Sequence, residues 1–212
     1  MQRNHIIDVL KGILIIFVII LHSPIDTALQ AKLLFPFWIM QAVPCFLFIT
    51  GYVYALSYQR RNIECMWGAY SKERVVEQLL RYVIPFTMIF VVEWLLFRIT
   101  GLYTVNVFKY GVFALFQDYL RGGIGVGSYY FPLLIQNIFI FPIIYFVIKK
   151  HNFKGLLYCF FANILYELFK TSYYMNEAEY RLLIFRYIFV IAAGCYLAIG
   201  KYEINKKTYI IS

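Results

Sequence analysis

Charge is scarce in this chain: 15% of its 212 residues are Asp, Glu, Lys or Arg. No soluble domain, internal repeat or low-complexity tract interrupts it, and the longest stretches between apolar runs are residues 58 to 81 and 99 to 129. Solenoids, arrays and disordered linkers are therefore excluded. Cysteine is equally thin. Cys45, Cys65, Cys159 and Cys195 show no C-x-x-C spacing, and three lie in or beside apolar runs. They read as small core residues, not as metal ligands or a disulfide framework. No Lys-Ser/Thr follows the run Gly122-Gly123-Ile124-Gly125-Val126-Gly127-Ser128, which removes a phosphate loop and leaves a hinge or lid. The first apolar run lacks a convincing small-x-small cleavage site and carries Asp8, so a cleaved signal peptide is the weaker reading.

What is present is hydrocarbon. Hydrophobic residues make up 62% of the chain and aromatics 21%, far above a soluble domain. Runs of roughly 20 apolar residues span a bilayer, and six candidates occur at residues 6 to 22, 36 to 57, 82 to 98, 130 to 148, 155 to 169 and 183 to 200. The expected fold is all-α, a polytopic transmembrane bundle forming one domain over residues 1 to 212. Phe108, Val112, Leu115, Phe116 and Tyr119 follow helical spacing in a segment too short to span, which predicts an added interfacial or re-entrant helix. The net charge of +9 does not imply nucleic acid, because the basic residues sit in short loops, where they encode orientation. Twelve, including Arg60, Arg61, Lys72, Arg74 and Arg81, fall on the side of the termini and six on the other, so both termini are expected in the cytoplasm.

The exceptions inside the apolar runs point to function. Lys11 and His22 lie eleven residues apart, within roughly 20° on a helix, and Asp8 lies within about 60° of both. Ionisable groups aligned in this way face a bundle interior or a watery cavity, although Asp8 and Lys11 could also pair near the headgroups. Position along the spans puts His22, Glu93, Gln136, Asn137, Asn163, Glu167 and Arg186 at one outer depth. A shared polar chamber would satisfy them together, while unrelated interhelical bonds are the plainer alternative. Lys11 sits about 16 Å of helix rise from His22, so a long substrate with an anionic end near Lys11 and a reactive end near His22 could meet both. An imidazole there is suited to general-base work. His5 and His151 sit in polar flanks and carry no assigned role.

At these residues the chain resembles the membrane-bound acyltransferase-3 family, which O-acylates sugars and polysaccharides. Four blocks carry the likeness: Asp8-Val9-Leu10-Lys11-Gly12 with His22; Cys45-Phe46-Leu47-Phe48-Ile49-Thr50-Gly51-Tyr52; Arg74 with Arg81-Tyr82-Val83-Ile84-Pro85; and Tyr129-Tyr130-Phe131-Pro132-Leu133-Leu134-Ile135-Gln136 with Pro142. Lys11 stands where the family has Arg, and Thr50 where it usually has Ser. Lysine keeps the charge but loses the planar fork. The family core typically has about ten spans, so the chain matches only its first part.

The resemblance implies an acyl-CoA donor, usually acetyl-CoA, as co-substrate entering from the cytoplasm, a sugar or glycan hydroxyl as acceptor, and no bound cofactor or metal. It implies His22 and Asp8 as catalytic residues and Lys11 and Arg81 at the donor. Gln136, Tyr130, Asn137, Glu93 and Arg186 would serve the acceptor or the oxyanion. The main alternative is a truncated, catalytically silent membrane partner, which self-association or another membrane subunit would complete. A transporter ranks last, because inverted halves are missing.

Overall fold

A computed structural model describes residues 5–100, 107–123, 129–173 and 176–211. Ten α-helices follow one another among these residues, with no strand: α1 (His5–Leu21), α2 (Thr27–Lys32), α3 (Ala42–Arg60), α4 (Met66–Ala69), α5 (Lys72–Thr100), α6 (Val107–Leu120), α7 (Tyr130–His151), α8 (Phe153–Ser172), α9 (Glu177–Leu182) and α10 (Ile188–Ile211). The all-α expectation holds, and α1, α3, α5, α7, α8 and α10 lie on the six predicted runs. By length and composition, three stretches are able to cross a membrane: Phe35–Arg60, Met66–Thr100 and Tyr130–His151; Ile184–Gly200 is apolar but shorter. The expected six spans are thus six long helices, of which three qualify outright. The reasons are physical. With 17 residues, α1 reaches only about 25 Å, and α8 dilutes its apolar run with Lys154, Asn163, Glu167 and Lys170.

Local chemistry sets the corners. Beyond α3, Asn62 takes the left-handed conformation at φ 49°. The Ile63 amide then donates back to Tyr58 O at 3.1 Å, and Ile63 is buried beneath the turn, as a Schellman cap requires. Between α7 and α8, Asn152 also has φ 49°. A Cβ on Gly155 would stand 2.7 Å from Val147 O, so only glycine lets these two helices meet. The predicted interfacial segment is helical as α6, whose 14 residues cover about 21 Å. Tyr119 docks among Phe86, Phe90 and Phe131 and its hydroxyl lies 2.8 Å from Thr87 Oγ1. Gly122 and Gly123 follow with φ 103° and 102°. The rest of the expected hinge, residues 124–128, lies outside the described residues.

The core forms where α3, α7 and α10 meet. Leu47 and Ala55 of α3, Leu133, Phe141, Ile144 and Ile148 of α7, and Ile191, Ala192, Cys195 and Ala198 of α10 are buried together. Tyr58 packs edge to face against Phe141 and Tyr145 at 5.2 and 5.0 Å, the geometry that aromatic quadrupoles favour. The tightest approach is backbone on backbone. A Cβ on Gly51 would lie 2.2 Å from Ile191 O, and one on Gly194 2.0 Å from Phe48 O. By contrast, α1 buries only Leu14 and α5 only Phe90, leaving Ile16, Ile19, Met88, Val92 and Leu96 exposed. Such faces suit lipid.

The glycine crossing makes a testable contrast. Gly51→Ala should cost about 1–3 kcal/mol or more, because the methyl meets a backbone carbonyl that cannot move aside. At Gly12 nothing lies within 4 Å of an added Cβ, so Gly12→Ala should gain up to about 1 kcal/mol of helix propensity. Thermal unfolding of both variants in the same detergent measures the difference. Equal melting temperatures would refute the crossing.

Candidate functional site

His22 lies one residue beyond α1. Its amide still donates to Val18 O at 3.2 Å, Ser23 Oγ donates to Ile19 O at 2.8 Å, and Pro24 follows, so the helix stops here. The imidazole is thereby placed on the wall of a cavity of about 350 Å³ shared with Val18, Met40, Val43, Phe46, Tyr129 and Tyr130. The walls are mostly apolar, and the polar groups are the imidazole and two phenols. The Tyr130 ring leans on Phe46 at 5.9 Å. Its hydroxyl stands 3.5 Å from Thr50 Oγ1, which itself donates to Phe46 O at 2.8 Å. At Tyr129, burial raises the phenol above its ordinary value, while the charges of Arg181 and Arg186 pull it back.

A second cavity, of about 430 Å³, opens at the other end of α3. Val53, Tyr54, Ser57, Tyr58, Arg60 and Arg61 line one side, and Arg74, Glu77, Gln78 and Arg81 of α5 the other. Four guanidinium groups face one carboxylate. Glu77 accepts from Arg61 through both oxygens at 3.2 Å and from Arg81 at 2.9 Å. The Arg74 guanidinium lies 5.5 Å over the Tyr58 ring, and its Nε is buried without a hydrogen-bond partner. This surplus of planar cations is suited to phosphates or carboxylates. Among the described residues no three His, Cys, Asp or Glu side chains converge to hold a metal ion.

The predicted residues divide between these places. His22 and Tyr130 share the first cavity, Arg81 lines the second, and Asp8 and Lys11 line neither. Both are half-buried on α1. That helix packs on α3 through Ile7, Leu14, Phe17 and Val18 against Ala42, Phe46, Ile49 and Val53, so Lys11 lies toward the end of α3 that bears the arginines. Among the described residues, the other polar groups expected at the outer depth line neither of these two cavities. Gln136 is spent on the chain before α10: its Nε2 donates to Leu182 O at 2.6 Å and its Oε1 accepts from the Ile184 amide at 3.1 Å. Glu167 accepts from the Tyr180 hydroxyl, and Asn163 Oδ1 accepts from the Phe189 amide at 3.4 Å. Arg186 stacks over the rings of Tyr180 at 4.6 Å and Tyr187 at 5.4 Å. Lys170 lies 2.5 Å from Glu177 and holds that carboxyl below its usual range. Glu93 is half-buried on α5 and lines neither cavity, and Asn137 is fully buried with both side-chain polar atoms unpartnered. Depth along a span is readable, but rotation about each helix axis divides these groups: Glu167 and Arg186 meet at Tyr180, while Gln136 and Asn163 turn to backbone partners.

In the sequence Arg60 and Arg61 read as loop charge, and Arg74 as loop charge and part of a family block, although all three line one cavity. Neither Tyr54 nor Tyr82 carries a role in the sequence reading, although a signal for the first exists. Thr50, Tyr54, Ser57, Tyr58 and Arg61 follow i, i+4, i+7, i+8 and i+11 spacing, a polar stripe down one face of an otherwise apolar helix.

These features define a helical membrane protein with a histidine cavity at one end of its central helix and a cationic one at the other. Residues 4–211 match the Acyl_transf_3 family model, described as an acyltransferase domain. The chain belongs to the acyltransferase-3 family. No curated protein and no solved structure matches it.

Adjacent amides on α7 make opposite predictions. Gln136→Leu strands Leu182 O and the Ile184 amide and should cost about 1–3 kcal/mol. Asn137→Leu removes two unpartnered buried atoms and should raise stability by about 1–3 kcal/mol. Thermal unfolding of the pair in detergent reads both signs, and a loss at Asn137 would show that its amide has partners after all.

Proposed function

We propose that this chain is an integral-membrane O-acyltransferase that moves an acyl group, by family resemblance acetyl, from acyl-CoA to a hydroxyl of a sugar or glycan. Both termini lie in the cytoplasm in this reading, which puts the arginine cavity on the donor's side and His22 toward the outer leaflet. The observation that carries it is the two-ended arrangement along α3. An imidazole borders a ligand-sized cavity at one end, and four guanidinium groups border another at the end where a polyanionic donor would arrive.

The chemistry follows from these groups. The His22 imidazole accepts the proton of the acceptor hydroxyl as that oxygen forms its bond to the thioester carbonyl carbon. Negative charge collects on the former carbonyl oxygen, and the Tyr130 hydroxyl on the same cavity donates to it in this reading. The carbon–sulfur bond then breaks, and the departing sulfur takes the proton back from the imidazolium. The products are an ester and a free thiol. Arg60, Arg61, Arg74 and Arg81 hold the donor's phosphates, and Lys11 adds a further positive charge from α1. Gln136, first expected at the acceptor, instead fixes the segment that carries Arg186.

A second reading, a catalytically silent membrane partner, draws on the bare apolar faces of α1 and α5. One experiment separates the two. Purified protein incubated with labelled acetyl-CoA and total cell-envelope glycan should transfer label, and His22→Ala should lower the rate by at least about 100-fold, the usual worth of a positioned base. Transfer that survives His22→Ala unchanged removes the general base. No transfer by the unaltered protein favours the silent partner.

A further inference from the structure

The partition between the two cavities is built from hydroxyl groups. The nearest residues lining them on α3, Phe46 and Val53, are separated by roughly 10 Å of helix rise. Within that interval, Thr50 Oγ1 faces the Tyr130 hydroxyl at 3.5 Å, and the Tyr54 hydroxyl meets that of Tyr82 at 2.5 Å. Tyr130 already lines the histidine cavity, and Tyr54 lines the arginine cavity. Four hydroxyl oxygens therefore bridge the gap between them.

Each hydroxyl carries one hydrogen and two lone pairs. In the Tyr54–Tyr82 pair one hydrogen serves the partner, and the other has no acceptor among the described residues. The pair can thus donate to a carbonyl and accept from an amide without leaving its own bond unreplaced. An alkyl chain would gain nothing from it. A chain that carries amide groups, tethered at one end to a polyanion in the arginine cavity, would replace the tyrosine–tyrosine bond with bonds of equal kind.

We propose that Tyr54 and Tyr82 are positioning residues for the amide-bearing arm of the donor, which parts their hydroxyl contact as it passes from the arginine cavity toward His22. This rests on the acyl-CoA reading given above and extends it to the segment between the donor's nucleotide and its thioester. The pair also sets a length rule, since an anion held at the arginines reaches His22 only through a chain long enough to cross the partition.

Equilibrium binding of two probes to the full chain in detergent tests this: CoA, which has the arm, and adenosine 3′,5′-bisphosphate, which has the anionic end without it. Tyr54→Phe and Tyr82→Phe keep both rings, including the Tyr54 contact with Phe141 at 5.2 Å, so packing is preserved. Each should weaken CoA about fivefold, because in the free variant the remaining tyrosine hydroxyl is hydrated from the arginine cavity, whereas in the complex one amide group of the arm is left without a partner; the bisphosphate should be unchanged. Arg81→Ala should weaken both probes. Equal weakening of both probes by the tyrosine variants, or a drop in melting temperature with no change in CoA binding, would reduce the pair to a tie between α3 and α5 and overturn the proposal. Acetyl transfer that needs His22 but shows an unaltered CoA affinity in the variants would do the same while leaving the acyltransferase reading intact. Failure of the unaltered protein to bind either probe would remove the donor assignment and this inference with it.

Discussion

Gly51 and Gly194 let α3 and α10 touch backbone to backbone, and the remaining geometry hangs on that crossing. A bilayer supplies no hydrophobic drive between helices, so close packing must supply the attraction, and small residues at the seam allow it. The same seam carries Ala55 from α3 and Ala198 and Cys195 from α10, all buried. With α7 wedged against both helices through Leu133, Phe141 and Ile148, α3 becomes a fixed rod. Its two ends bear the two cavities, so the separation between them is a property of a rigid element.

The helices were legible because hydropathy alone marks an apolar run, and an apolar run in lipid has one stable form. The family was legible because four short blocks stand in the right order. The inference from depth to proximity holds for Glu167 and Arg186, which meet at Tyr180, and fails for the rest. Gln136 and Asn163 do lie deep within helices, but residues at one level can face any direction, and a single sequence carries only the rise. Gln136 turns to a backbone gap between α9 and α10 that could not be foreseen, because the need for a capping amide there arises from a 3₁₀ turn at Ile184–Tyr187. The stripe from Thr50 to Arg61 was readable in principle, since helical periodicity fixes both rise and rotation within one helix. It was obscured by Tyr and Ser, which pass for ordinary membrane packing.

The arginine cavity shows why a cluster of like charges is tolerable. Glu77 satisfies two guanidinium groups at once, and Arg74 uses the face of Tyr58, so part of the repulsion is offset within the protein. The remainder persists as positive potential over a partly enclosed volume. That potential is costly without an anion and favourable with one, so the cavity's chemistry suits an anion. Arginine suits the task better than lysine because its fork engages phosphate oxygens in pairs.

Among the six long helices, the two that complete the cavities are the least secured. The histidine is delivered by α1, and α5 delivers Arg74, Glu77, Gln78, Arg81 and Tyr82, yet each of these helices buries a single residue in the core. A rod held by α7 and α10 thus carries fixed halves of both cavities, and weakly packed helices supply the mobile halves. Segments with few buried contacts open at the lowest free energy. In the acyltransferase reading proposed above, a long donor would enter through such opening, at the two helices whose outward displacement leaves the glycine crossing untouched.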